Sequence, residues 1–358
     1  MKTEQKLGFA DYMVERRKIK QVFFDQVNVL IDWRLISNII NKHYQKGESA
    51  VGRPSYDGLV LFKMSLIQTW YGLSDYEVED RVNDSISFGR FVGISLDDSV
   101  PDHSVLSRFR TELTKKGAYE KLLKAMNKQL EKHKIIVKTG VIIDASIIDT
   151  PLKPKGNITY EIESDRAEEE RSDEDKNEEN KHQVSLTKTQ KGADSEGRWI
   201  KKSGKTRFGY KKHVVTDVEG LILGVLTTPA NVNEISNLEE VLNTADLPEN
   251  VYLLADKGYA SAKNEEILKK KKLKSRILHR ARKGKPLTER EKLRNKLIGK
   301  TRFKVERTFG SIKRWFNSTG ARYKGQAKMH TQNLIEAIAH NLYRSPGIIV
   351  SNSIKIAK

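Results

Sequence analysis

Asp144, Asp256 and Glu306 are the residues of this chain with the most chemistry to offer. Asp144 closes the apolar run Val141-Ile142-Ile143, and Asp256 closes Val251-Tyr252-Leu253-Leu254-Ala255. Glu306 has Arg302 four residues before it and Lys313 seven residues after it. Carboxylates from three separate elements, brought together, form an all-oxygen site for a hard cation such as Mg²⁺ or Mn²⁺, which keeps several waters and accepts substrate phosphate as a further ligand. Two such ions about 3.5–4 Å apart can activate an attacking oxygen and stabilise a leaving one. Three carboxylates at close quarters repel one another without a cation, so their ionisation and metal binding are linked. One aspartate after an apolar strand is ordinary turn or cap chemistry. Three acids in this order beside a basic helix are far less common.

On a helix, Arg302, Glu306 and Lys313 share a face. The plain structural reading is an i,i+4 ion pair worth about a few tenths of a kcal/mol. The functional reading puts metal on Glu306 and phosphates on Arg302 and Lys313, one a planar fork and the other a point charge. Arg307 and Lys257, each next to one of the acids, are further candidate DNA contacts. Between Lys263 and Arg307 there are 19 Lys or Arg against 5 Asp or Glu, a net of +14 and most of the chain's excess.

The acids need a scaffold. Ile135 to Ile148 is nearly continuous apolar sequence, which reads as a strand buried on both faces. Arg207–Val215 and Leu221–Leu226 read as a pair of strands joined at Asp217-Val218-Glu219-Gly220. Val251–Ala255 and Arg276–His279 are two more strands. Helices are expected at Glu234–Leu242, Ala262–Lys272, about 287–318 with a possible break at Gly299, and about 331–344. The order β-β-β-α-β-α-β-α predicts a mixed five-stranded sheet with helices on its faces, an α+β / α/β arrangement of ribonuclease-H-like type. His213 on the second strand could reach DNA or the site, although a packed histidine is the commoner outcome. Trp199 and Trp315 could stack on an extruded base, against core packing as the better reading for Trp315.

Residues 1–134 read as helical. Leu59, Phe62, Leu66, Ile67 and Trp70 keep helical spacing, with Ser55 or Asp57 as cap. Ser74 and Glu77 form a capping-box pattern. A further helix, capped by Asp102, is expected to run from Pro101 through Leu122, with Arg108 and Arg110 projecting from its early turns. Short helices with exposed arginines suit a helix-turn-helix reader of DNA, and a helical bundle with incidental arginines fits the same spacing. The expected division is therefore a helical DNA-binding region at 1–134, a catalytic domain at 135–346 and a tail at 347–358. A polar interval at 151–205, with eleven acidic against three basic residues in 161–180, is expected to be a solvated, flexible insertion.

Composition narrows the partners. The chain has 358 residues, 32% of them charged, and a formal net charge of +19, so a polyanion is the expected partner and double-stranded DNA the default. The lack of cysteine rules out disulfides, thiolate zinc sites and a cysteine nucleophile. No apolar run approaches the ~20 residues of a membrane span, and the N-terminus lacks an apolar signal core. A cytoplasmic, nucleoid-associated protein with no membrane partner is expected.

At these residues the chain resembles the DDE transposases of bacterial insertion sequences, most closely the insertion-sequence-five group. The resemblance rests on Gly52-Arg53-Pro54, Trp70-Tyr71-Gly72-Leu73-Ser74-Asp75, Pro101-Asp102-His103-Ser104, Phe109-Arg110, Asp144-Ala145-Ser146, Asp256-Lys257-Gly258-Tyr259 and Arg302 to Lys313. The family's C-terminal signature has a tyrosine where this chain has Gly299. The resemblance implies that Asp144, Asp256 and Glu306 bind metal, that Mg²⁺-dependent hydrolysis occurs at transposon ends, and that the freed 3′-OH then attacks target DNA. A homodimer on paired ends is the expected assembly. A nuclease without strand transfer and an inactive DNA-binding relative remain open alternatives. Only 49 residues separate Asp256 from Glu306, so the long insertion of this chain falls between the first and second strands instead.

Overall fold

The computed structural model describes residues 18–44, 56–154, 192–202, 204–281 and 286–356. Gly52-Arg53-Pro54, Ser55 and the acidic stretch 161–180 lie outside the described residues. Before the first strand come helices α1 (Lys18–Leu30), α2 (Trp33–His43), α3 (Gly58–Tyr71), α4 (Asp75–Asp84), α5 (Ile86–Val92), α6 (His103–Lys115) and α7 (Ala118–Lys132). Local chemistry sets their ends. The Asp57 side chain accepts from the Leu59 N–H to start α3, and Gly72, left-handed at φ 65°, ends it. Ser74 and Glu77 make both bonds of a capping box on α4. Asp102 caps α6 by accepting from the Val105 N–H. The single helix expected from Pro101 through Leu122 is in fact two, because Gly117 adopts φ 56° between them.

The sheet has six strands: β1 (Gly140–Asp149), β2 (Arg198–Lys202), β3 (Lys205–Asp217), β4 (Ile222–Pro229), β5 (Tyr252–Ala255) and β6 (Lys274–Ile277). β3 runs antiparallel to β1, β2 and β4, whereas β5 and β6 run parallel to β1. Helices α8 (Leu238–Asn243), α9 (Ala262–Lys270), α10 (Glu289–Trp315) and α11 (Gln326–Ile356) complete the fold.

Four expectations need correction. The interval 151–205 contains an ordered strand, since β2 pairs with β3 and sets Trp199 opposite Phe208. Asp194, just before it, is buried and accepts from the Tyr210 hydroxyl at 2.7 Å. The first strand begins only at Gly140, because Ile135 and Ile136 are buried in the connection from α7. α10 is unbroken at Gly299, held by buried Ile298, Val305, Thr308 and Ile312 along one stripe and by a capping box of Thr288 and Glu291. α11 continues through Pro346 to Ile356, so residues 347–356 are helix rather than tail.

Buried side chains of the N-terminal helices and of the sheet belong to one continuous core. The Trp70 indole N–H of α3 donates to the Ala339 carbonyl of α11 at 2.9 Å. Asn127 of α7 and Asn341 of α11 bond each other and the Ile222 backbone at the start of β4. Each amide satisfies backbone or side-chain groups that would be costly to bury alone. α10 is fixed to the β3–β4 turn where Thr308 Oγ1 donates to the Gly220 carbonyl at 2.8 Å.

Candidate active site

Strand pairing brings the first two acids together. β1 and β5 are parallel neighbours with Ile143 opposite Ala255, so Asp144 and Asp256 stand one residue beyond a matched pair. α10 packs across both strands and supplies the third acid. All three carboxylates reach one guanidinium. Arg302 Nη2 lies 3.3 Å from Asp144 Oδ2 and 3.5 Å from Glu306 Oε1, and Nη1 lies 3.3 Å from Asp256 Oδ1. Exposure grades across the group. The Arg302 side chain is 12% exposed, Asp144 17%, Asp256 38% and Glu306 58%, so the group opens to solvent on the Glu306 side.

Backbone groups orient the aspartates. The Ala145 N–H donates to Asp144 Oδ1 at 2.9 Å, and the Lys257 N–H to Asp256 Oδ1 at 2.8 Å. Burial pushes the Asp144 carboxyl above its usual range, against the downward pull of Arg302 and the Ala145 N–H. Among the described residues, no three acidic or histidine side chains are grouped closely enough to hold a metal ion as they stand. The convergence on Arg302 and the lack of a closed cluster are compatible: a guanidinium spreads its partners more widely than an ion does. Three hard oxygen donors around one positive centre do suit a divalent cation.

The predicted basic residues divide by burial. Lys313 Nζ donates to Ser146 Oγ at 3.0 Å, two residues along β1 from Asp144 and on the same face. Burial pulls its pKa down, with Arg207 adding to the effect. Lys257, Arg307 and Arg108 are exposed and open to a polyanion. Lys300, Arg307 and Arg314 are exposed at seven-residue spacing on α10 and make a basic stripe along it.

Four expectations fail here. Arg302 directs its terminal nitrogens at the acids, not outward to phosphate. Arg110 does not project: it is buried, pairs with Asp75 at 2.7 Å and stacks over the Tyr323 ring. His213 is 0% exposed, bonded to Thr228, with its pKa pulled down to about 3 by burial and then by Lys211. It is a neutral core residue and touches no surface. Trp315, expected in the core, is 42% exposed against Tyr343. Trp199 lines a cleft of about 1000 Å³ with Tyr76, Arg207 and Arg322, a cleft whose walls include none of the three acids.

Two neighbours escaped the sequence reading. Glu234 lies close enough for its charge to push Asp144 upward, and it pairs with Lys211 at 3.5 Å. Its place after a turn gave no signal. The Tyr259 hydroxyl is buried without a hydrogen-bond partner, and burial, then Glu234, Asp144 and Asp256, push it well above the usual phenol range. Tyr259 belongs to the Asp256-Lys257-Gly258-Tyr259 motif, but nothing in the motif's spacing pointed to a role for it.

Comparison with known proteins finds transposases. Residues 136–342 match the family described as Transposase DDE domain, and residues 12–112 match one described as Transposase domain. The transposase for insertion sequence element IS1106 of Neisseria meningitidis serogroup B is 33% identical over 240 residues, covering 66% of this chain and 76% of that protein. Among solved structures, the Mos1 Strand Transfer Complex is 10% identical, covering 77% of this chain and 82% of its own, at a TM-score of 0.20. The Mos1 mariner paired end complex with Mn is likewise 10% identical, covering 88% and 93%, at a TM-score of 0.20. Likenesses at that score are too distant to bear on the chemistry of this chain.

Proposed function

The chain belongs to the DDE transposase family, as a transposase of an insertion sequence, and from that premise we propose that it binds the terminal repeats of its element and catalyses divalent-metal-dependent DNA cleavage and strand transfer. One observation carries the reading: Asp144, Asp256 and Glu306, from a strand, the end of its parallel neighbour and a crossing helix, all reach the same guanidinium. In this reading the three acids hold Mg²⁺ or Mn²⁺. Held by Asp144, Asp256 and Glu306, such an ion would supply activation of the attacking oxygen and charge stabilisation of the leaving one.

The protein's own groups then divide the remaining work. Lys313, anchored on Ser146 beside Asp144, is suited to a phosphate at the cleavage point. Lys257 and the exposed stripe of Lys300, Arg307 and Arg314 track the backbone on either side. Arg108 is the remaining candidate contact from the helical N-terminal region, which serves as the reader of the ends in this proposal. The sheet path β2-β3-β1-β5-β6, with β4 also paired to β3 and β3 antiparallel to β1, supports a ribonuclease-H-like core at 135–346. The motifs of the acids and of Arg302 to Lys313 support placement in the insertion-sequence-five group, and a homodimer on paired ends is the assembly proposed with it.

Asp144→Asn, Asp256→Asn and Glu306→Gln test the assignment. Each is expected to abolish cleavage of a labelled duplex carrying the element's end while leaving its binding within about threefold of wild type, because none removes a phosphate contact. A variant that cleaves normally would remove that residue from the site.

A further inference from the structure

Arg302 is the only side chain that touches all three acids of the proposed site among the described residues. Two of its nitrogens serve three carboxylates, so one nitrogen is shared between Asp144 and Glu306. The guanidinium is nearly buried, while other cations of the same helix, Lys300, Arg307 and Arg314, are exposed. A residue meant only to meet phosphate would be placed like those. We propose that Arg302 is the resident counter-cation of the acidic triad and that a divalent ion must displace it to bind. The inference rests on the reading of Asp144, Asp256 and Glu306 as metal-holding acids.

Like charge and shared ligands make the two occupants exclusive. A guanidinium and a divalent ion draw on the same carboxylate oxygens, and a positive charge left among them repels the incoming ion. Spacing points the same way. The carboxylates stand 3.3–3.5 Å from the guanidinium nitrogens, whereas Mg²⁺ holds oxygen at about 2.0–2.1 Å. The acids must therefore draw in, and the guanidinium between them must leave. Arg302 is also poorly satisfied where it stands: its Nε is buried with no acceptor. A buried donor without a partner weakens the pose and makes it one that can be given up. Once released, the guanidinium is a planar fork on the edge of the site, available to a DNA phosphate. The free protein would thus keep the charge of its acids partly offset by its own arginine, and metal and DNA would favour each other's binding.

The test is a titration of the DNA-free, full-length protein with Mn²⁺, reading free Mn²⁺ by its electron paramagnetic resonance signal. Wild type, Arg302→Gln, Arg302→Lys and Asp144→Asn are compared. Arg302→Gln is expected to bind Mn²⁺ at least about tenfold more tightly than wild type, since a unit positive charge has left the site. Arg302→Lys, which keeps the charge, is expected to stay within about threefold of wild type. Arg302→Gln binding no tighter than wild type, while Asp144→Asn binds more weakly, would overturn the role of Arg302 and leave the acids in place. Unchanged Mn²⁺ binding in Asp144→Asn would overturn both. Should Arg302→Gln fail to fold, nitrogen-15 arginine spectra of wild type decide. The Nε–H signal missing from Arg302→Lys is expected to shift as Mg²⁺ saturates the protein, and a signal that stays put through saturation would overturn the proposal.

Discussion

Asp217 and Arg110 show how differently buried charges behave in this protein. Asp217 is 0% exposed at the end of β3, and its Oδ1 accepts from the Glu219 and Leu221 N–H groups. Burial raises its pKa from 3.8 to about 6. The folded protein therefore holds this proton more tightly than the unfolded chain, and stability falls as pH rises from 3.8 to about 6. Asp217→Asn keeps the Oδ1 acceptor and removes the charge. We expect the variant to be more stable than wild type at neutral pH by on the order of 2–3 kcal/mol, with the gap closing below about pH 4. Urea unfolding across that range checks it, and a gap that does not change with pH would show that Asp217 does not titrate there. Arg110 is the opposite case, a charge fully engaged with Asp75 and Tyr323. Arg110→Ala should cost about 1–3 kcal/mol, since Asp75 is partly exposed and keeps its bond from the Gln68 amide, with the DNA affinity of the folded fraction unchanged. The sequence marked the three acids because two of them end apolar runs and the third sits in a basic helix. It could not mark where Arg110 or Arg302 points. The partners of Arg110 are as distant as Asp75 and Tyr323, and residue spacing carries no record of such pairs.

At the level of elements, local signals were the readable ones. The capping box at Ser74 and Glu77 and the cap at Asp102 formed as their sequences indicate. Strand β2 was missed because charged residues at Arg198, Lys201 and Lys202 mask its pairing with β3. The helix over 287–318 formed without the break that Gly299 left open, because tertiary packing of Ile298, Val305 and Ile312 outweighs one glycine. Two glycines around α10 give a contrasting pair of expectations. A Cβ on Gly299 meets nothing within 4 Å, so Gly299→Ala should raise stability by about 0.5–1 kcal/mol. A Cβ on Gly220 would come within 2.6 Å of Thr308 Oγ1 at a φ of 87°, so Gly220→Ala should cost about 1–3 kcal/mol. It should also lower cleavage, because Gly220 is where α10, the carrier of Glu306, is fastened to the sheet. Thermal unfolding and cleavage measured on both variants would check this; equal shifts in the two would contradict it.

Across the whole molecule, charge and core organise function differently. One core joins the N-terminal helices to the sheet, so a boundary near residue 134 marks a change of element type rather than a gap in packing. No helix among the described residues is long and apolar enough to cross a membrane. The net charge of +19 was readable at once, but its distribution was not. Lys212 is consumed by a buried pair with Glu336 and Lys211 by Glu234, while the stripe on α10 remains exposed. If that stripe tracks DNA, binding releases counterions, and affinity for an end duplex should fall by at least about a hundredfold between 50 and 200 mM salt. A flat salt profile would remove the stripe from the interface.

The most direct measurement combines purified protein, Mg²⁺, a labelled duplex carrying the element's own end and a plasmid target, with wild type and Glu306→Gln run side by side. We expect wild type alone to yield both cut ends and end-to-plasmid joined product. Joined product from Glu306→Gln would contradict the assignment of the third acid, cutting without joining by wild type would reduce the protein to a nuclease, and binding with neither reaction would leave only a DNA-binding relative.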